Sequence, residues 1–175
     1  MVDSDLVQVS IDSIRVSLVS PHRIVVLKDT DDRFLPIWIG PFEADAITIA
    51  LQGNQVARPL THDLLKNIIV EVGGAPSHIV VSDLREETFF ARIVMDLDKR
   101  KVELDSRPSD AIALAVRLQV PIYVMDWVMD KASIRPSTGS EDVSPEEEEK
   151  LDAFRDLIQD LDLDDIGKSG GTKED

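Results

Sequence analysis

Val7, Val9 and Ile11 alternate with Gln8, Ser10 and Asp12, and Ile14, Val16 and Leu18 continue an alternation on the other parity. A period of two marks a strand with one buried face, and the change of parity marks a bulge near Asp12 and Ser13. The same reading places strands over 24–28 and 34–39, with Asp29-Thr30-Asp31-Asp32 as the hairpin turn between them. Pro36 lies inside the third strand. It has no N–H for a ladder bond, so that strand belongs at a sheet edge or a bulge, where a second subunit could cover it. Residues 79–83 and 88–95 read as a second hairpin across 84–87. A strand over 101–104 follows, and a short last strand over 122–125 comes after Pro121.

Three helical patterns interrupt these strands. The first starts at Gly40-Pro41, with proline at its first position, and ends near Gln52, with Gly53 as the stop. Its buried face is expected to carry Ala46, Ile47, Ala50 and Leu51. The second runs from about Thr61 to Gly73-Gly74 and is expected to bury Leu64, Leu65, Ile68, Ile69 and Val72. The third starts between Ser106 and Ser109 and ends near Leu118. Its Ala111, Ile112, Ala115 and Val116 are small enough to pack closely on a sheet. Hairpins separated by helices predict an α+β domain with a mainly antiparallel sheet and about three packed helices.

The pattern changes near residue 135. Arg135-Pro136-Ser137-Thr138-Gly139-Ser140-Glu141-Asp142 reads as a flexible stretch, which gives a domain over 1–135 and a linker over 136–144. Ser144, Pro145 and Glu147 then supply an N-cap, a first-turn proline and a capping box. Leu151, Phe154, Leu157, Ile158 and Leu161 make one apolar stripe on an acidic helix over 145–166, and 167–175 reads as a disordered tail. Such a stripe is expected to pack on its own domain, on a second subunit or on a protein partner.

Charge sharpens this division. The chain of 175 residues carries a net charge of -15, of which -10 falls in 136–175. A protein this acidic does not hold nucleic acid by bulk positive charge. The absence of cysteine excludes disulfides, thiolate metal sites and a cysteine nucleophile. The longest uncharged stretch, 46–57, is too short for a spanning helix, and the acidic start resembles neither a signal nor a transit peptide. A cytoplasmic protein without membrane contact is expected. No P-loop, dinucleotide fingerprint, zincin or nucleophile-elbow motif is present.

One short echo carries candidate chemistry. Arg58-Pro59-Leu60-Thr61-His62-Asp63 opens the second helix, and Arg107-Pro108-Ser109-Asp110 opens the third. A helix start offers free N–H groups and the positive end of the dipole, which suits an anion. Arg58 and Arg107 would add guanidinium forks to a phosphate, with Thr61, Ser106 and Ser109 as hydroxyl donors. His62 would transfer a proton, with Asp63 and Asp110 as catalytic carboxylates that orient it. Glu43 and Asp105 are metal candidates, for Mg²⁺ or Mn²⁺ through oxygen ligands. A plainer reading stands beside this one. Thr61, Ser106 and Ser109 also suit ordinary N-caps, first-turn acids are favoured by the dipole alone, and Arg107 can simply brace its loop. Trp38 reads as core or interface, and His22 and His78 as isolated.

The segments Phe34-Leu35-Pro36-Ile37-Trp38-Ile39-Gly40, Arg58-Pro59-Leu60-Thr61-His62-Asp63-Leu64 and Asp105-Ser106-Arg107-Pro108-Ser109-Asp110-Ala111-Ile112-Ala113-Leu114-Ala115, with Pro121-Ile122-Tyr123-Val124, resemble the bifunctional nuclease domain found in bacteria and plants. The resemblance spans roughly residues 6–133. It implies a compact α+β fold and phosphodiester hydrolysis on both DNA and RNA, with no catalytic set to carry over. The acidic balance implies weak nucleic-acid binding. A non-catalytic, oligomeric module that binds a protein or an anion, with the C-terminal helix as a contact surface, is the alternative.

Overall fold

The computed structural model describes residues 5–16, 22–54 and 56–135. The elements in chain order are β1 (Leu6–Val16), β2 (Arg23–Lys28), β3 (Phe34–Ile39), α1 (Pro41–Leu51), α2 (Thr61–Glu71), β4 (Ala75–Arg85), β5 (Thr88–Leu97), β6 (Arg100–Ser106), α3 (Pro108–Leu118), β7 (Ile122–Met125) and α4 (Asp126–Ala132). The strands form one sheet in the order β3-β2-β1-β7-β4-β5-β6. Every neighbouring pair is antiparallel except β4 with β7. The expected α+β class is therefore observed.

Alternation sets the core. Val25 and Leu27 of β2, Leu35 and Ile37 of β3, Ile79 and Val81 of β4, and Ile122 and Val124 of β7 are all buried in one cluster. The helices contribute Ala44 and Ile47, an almost wholly buried α3 from Ala111 to Ala115, and Val128 and Met129. Alanines on α3 allow it to lie centrally, with α1 and α2 on either side. The register of β1 against β2 slips between Ile11 and Ser13, where the parity change placed a bulge. Pro36 sits on β3, an edge strand that pairs only with β2 inside the sheet. The start of that free edge is closed by Ile134, which exchanges two backbone hydrogen bonds with Phe34 at 2.8 Å each. The β4–β5 turn is built from Glu86 and Glu87, both at positive φ (45° and 62°), a conformation that non-glycine residues adopt at a cost.

Asp29 locks the β2–β3 turn. Its carboxylate accepts the backbone N–H groups of Asp31 (2.9 Å) and Arg33 (2.8 Å) and the Arg33 Nε–H (2.6 Å). Arg33 also donates to Asp126 and Asp130, which ties the turn to α4. Burial pushes the Asp29 carboxyl up, but the Arg33 and backbone donors outweigh it and hold it below the ordinary carboxylate range.

Two expectations need correction. There are four helices among the described residues, not about three, because α4 follows β7 directly. The expected apolar faces are also only partly covered. On α2, Ile69 is buried, but Leu64 (54% exposed), Ile68 and Val72 are open. Leu51 of α1 is open too. The physical reason is that α2 leans mainly on α3 rather than on the sheet, so only a narrow stripe of it is covered. The linker, acidic helix and tail assigned to 136–175 lie outside the described residues.

Candidate active site at three helix starts

Three helix starts meet through side chains. Arg107 is the N-cap residue of α3, in extended conformation (φ -68°, ψ 146°), with Pro108 at the first helical position. Its Nε–H donates to Asp110 Oδ2 (2.7 Å), and Nη2 donates to Asp110 Oδ1 (3.1 Å) and to Glu43 Oε1 (2.7 Å). Asp110 is in the first turn of α3 and Glu43 in the first turn of α1. His62, in the first turn of α2, places Nε2 3.1 Å from Asp110 Oδ1. The cluster Glu43–Arg107–Asp110–His62 thus joins α1, α3 and α2.

Gly40 makes the Glu43 contact possible. A Cβ at this N-cap of α1 would collide with the Glu43 carboxylate, which folds back over the helix start. Arg107 Nη1 makes no hydrogen bond among the described residues, so one nitrogen of the fork is held in place and unengaged. Burial raises the Asp110 carboxyl, but its bonds to Arg107 and His62 prevail and keep it below its ordinary value. An ionised carboxylate only accepts hydrogen bonds, so the His62 proton on this contact sits on Nε2. His62 Nδ1 is then the ring atom that can take a proton, and it has no partner among the described residues. The ring itself is almost covered, at 8% exposure.

The other sequence candidates are placed differently. Asp63 accepts the Leu60 N–H (2.8 Å) and the Arg117 Nε–H (2.6 Å), a half-buried brace between α2 and α3. Arg58 is exposed and pairs with nothing among the described residues; it does not meet Arg107. Thr61 is exposed, and it is the first residue of α2 rather than its N-cap. Ser109 is buried at the start of α3, and Ser106 Oγ is buried without a hydrogen-bond partner among the described residues. Asp105 lines a separate polar recess with Asp83, Arg85, Arg92 and Glu103, and Glu43 is not among its lining residues. Among the described residues no three His, Asp or Glu side chains are grouped to hold a metal ion. Glu43 and Asp110 are both engaged by Arg107, so the donor set does not fit a protein-held Mg²⁺ or Mn²⁺.

Beside Arg107 opens a cleft of about 330 Å³. The end of β3 lines it with Ile37, Trp38 and Ile39, the β4–β5 turn and the start of β5 with Glu87, Thr88 and Phe89, and the α3 start with Arg107, Pro108 and Ser109. Trp38 is 58% exposed there, with His22 against it in a T-shaped contact at 6.0 Å. Sequence reasoning placed Trp38 in a core or interface and missed this cleft. The only local signal was Pro36, which marked β3 as an edge and so left its neighbours uncovered.

The fold and the cluster define an α+β domain with an arginine, carboxylates and an imidazole gathered at converging helix starts. The chain belongs to the bifunctional nuclease domain family, whose profile matches residues 25–137. An uncharacterized protein of Mycobacterium tuberculosis is 35% identical over 162 residues, which covers 91% of this chain and 97% of that protein. Bifunctional nuclease 2 of Arabidopsis thaliana is 32% identical over 114 residues, 62% of this chain and 35% of its own length. Bifunctional nuclease 1 of Oryza sativa subsp. indica is 28% identical over 110 residues, 60% of this chain and 33% of its own length. The match therefore spans about a third of each plant protein.

Proposed function

We propose that the domain hydrolyses phosphodiester bonds in DNA and RNA. The observation that carries this reading is the unengaged Arg107 Nη1, fixed by two carboxylates where three helices start. A phosphate oxygen would accept from Nη1. Water would attack phosphorus, its proton passing to His62 Nδ1, and the P–O bond to the leaving oxygen would break as a proton returns to that oxygen. Asp110 holds the imidazole in the tautomer this needs. Membership of a family whose plant relatives are named bifunctional nucleases supports the class of reaction. No step is routed through a divalent ion, because the carboxylates are already paired.

The test is cleavage of end-labelled single-stranded DNA and RNA by purified protein, with and without chelator. His62→Gln, which keeps a donor toward Asp110 but cannot accept the proton in the same way, is expected to lower kcat about 10²-fold. Wild-type kinetics in the variant would remove His62 from the mechanism.

One observation favours the second reading, a module that assembles. Leu64, Ile68 and Val72 recur at spacings of four along the open side of α2, and contiguous apolar surface of this kind marks contact sites. We propose that this face pairs with a second copy of the chain. Light scattering is expected to give a mass above one chain, reduced by Ile68→Glu; a wild-type monomer at micromolar concentration would end this reading.

A further inference from the structure

The cleft beside Arg107 has features that phosphate binding does not use. A site for a bare anion needs donors, whereas this one has an indole with more than half its surface open, Phe89 also in the lining, and Arg107 and His22 as its only basic side chains among the described residues. Glu87 lies on the rim and Glu43 and Asp110 stand behind Arg107, so the local charge does not draw a polyanion strongly. The volume, about 330 Å³, is at the small end of ligand sites and admits one nucleoside-sized group. A base inside a duplex is stacked and paired on all sides and cannot enter it.

We propose that this cleft is a subsite for one unstacked nucleobase, which lies on Trp38 while its attached phosphate takes the Arg107 Nη1. Every base has a π-face, so stacking on an aromatic side chain tolerates any sequence and accepts deoxyribose and ribose strands alike. The inference rests on the nuclease reading of the same site and names its substrate form: a single strand or a frayed end, held chiefly by stacking. It also accounts for how a strongly acidic protein would engage nucleic acid at all. With one phosphate contact, the slope of log affinity against log salt would be about -0.7, far shallower than for a basic groove.

The chain has two tryptophans, Trp38 and Trp127. In full-length Trp127→Phe protein, Trp38 is therefore the sole indole, and its fluorescence reports stacking. Titrations read before measurable cleavage compare a single-stranded oligonucleotide, a nucleoside monophosphate, a blunt duplex, an abasic strand and inorganic phosphate. Saturable quenching is expected with the first two, which separate a strand from a free nucleotide, and not with the last three. Anisotropy of a labelled single strand on the otherwise native chain is expected to show Trp38→Phe near wild type and Trp38→Ala weaker by about tenfold or more. Equal quenching by the abasic strand, or an unchanged affinity in Trp38→Ala, would overturn the subsite. Cleavage of the same strands is read in parallel. Normal cleavage by Trp38→Ala with unchanged binding defeats the subsite alone. Base-dependent quenching in a protein that cuts nothing leaves the subsite standing and defeats the nuclease reading.

Discussion

Replacing Arg107 with alanine is expected to lower cleavage of single-stranded DNA and RNA by about 10²- to 10³-fold, the usual consequence of removing a fixed donor from a developing negative charge. The geometry makes this a demanding position. Nε and Nη2 are held by Asp110 and Glu43, and Nη1 remains for the phosphate. A lysine ammonium has no planar fork to satisfy both carboxylates and still present a third nitrogen in a set direction, so Arg107→Lys is expected to recover little. Measured kcat/KM on both substrates, with a melting curve to confirm folding, decides the matter. A change of less than about threefold in Arg107→Ala would reduce the cluster to a brace between helices.

The largest stability effect is expected at Asp29. Its carboxylate is 1% exposed, and Arg33 beside it is 11% exposed. Asp29→Ala leaves two turn amides and the covered Arg33 Nε–H without their acceptor, and loosens the link through Arg33 to α4. Truncating one partner of a buried pair costs about 3–5 kcal/mol, which should appear in urea unfolding as a lower midpoint at unchanged slope. Asp29→Asn keeps an oxygen for the Asp31 and Arg33 amides and should lose less. The sign of the pH effect follows from the folded carboxyl lying below its ordinary 3.8. Its contribution is fully present above that value and fades as pH falls through the lower folded value. The stability gap between wild type and Asp29→Asn should therefore narrow on acidification below about pH 4. A gap independent of pH would show that Asp29 acts through turn geometry and not through charge.

Much of the sheet was legible because alternation reports burial directly. The third strand was read at 34–39 and the last at 122–125, matching β3 and β7. Helix starts were legible from proline and the first-turn acids. The pairing of His62 with a helix-start carboxylate was legible as chemistry, and His62 does reach Asp110. Arg58 does not reach Arg107, since the echo in sequence says nothing about which member turns inward. Helix α4 was missed because seven residues offer barely two turns of pattern and follow a strand without a break. The burial of Leu64, Ile68 and Val72 was misjudged for another reason: periodicity shows that a helix has an apolar side, not that a neighbour covers all of it. The cleft left no continuous trace, since β3, the β4–β5 turn and the α3 start are far apart in the chain.

The placement of β7 bears on how the chain is made. This strand lies between β1 and β4, yet it is the last of the seven to leave the ribosome. From the completion of β4 until residue 125 is synthesised, roughly two to eight seconds at about 5–20 residues per second, β1 and β4 each have an unfilled ladder. The nascent polypeptide thus holds two halves that cannot join. A chaperone that shields open strand edges would have its greatest effect on yield in that interval, before the final strand slots into the middle.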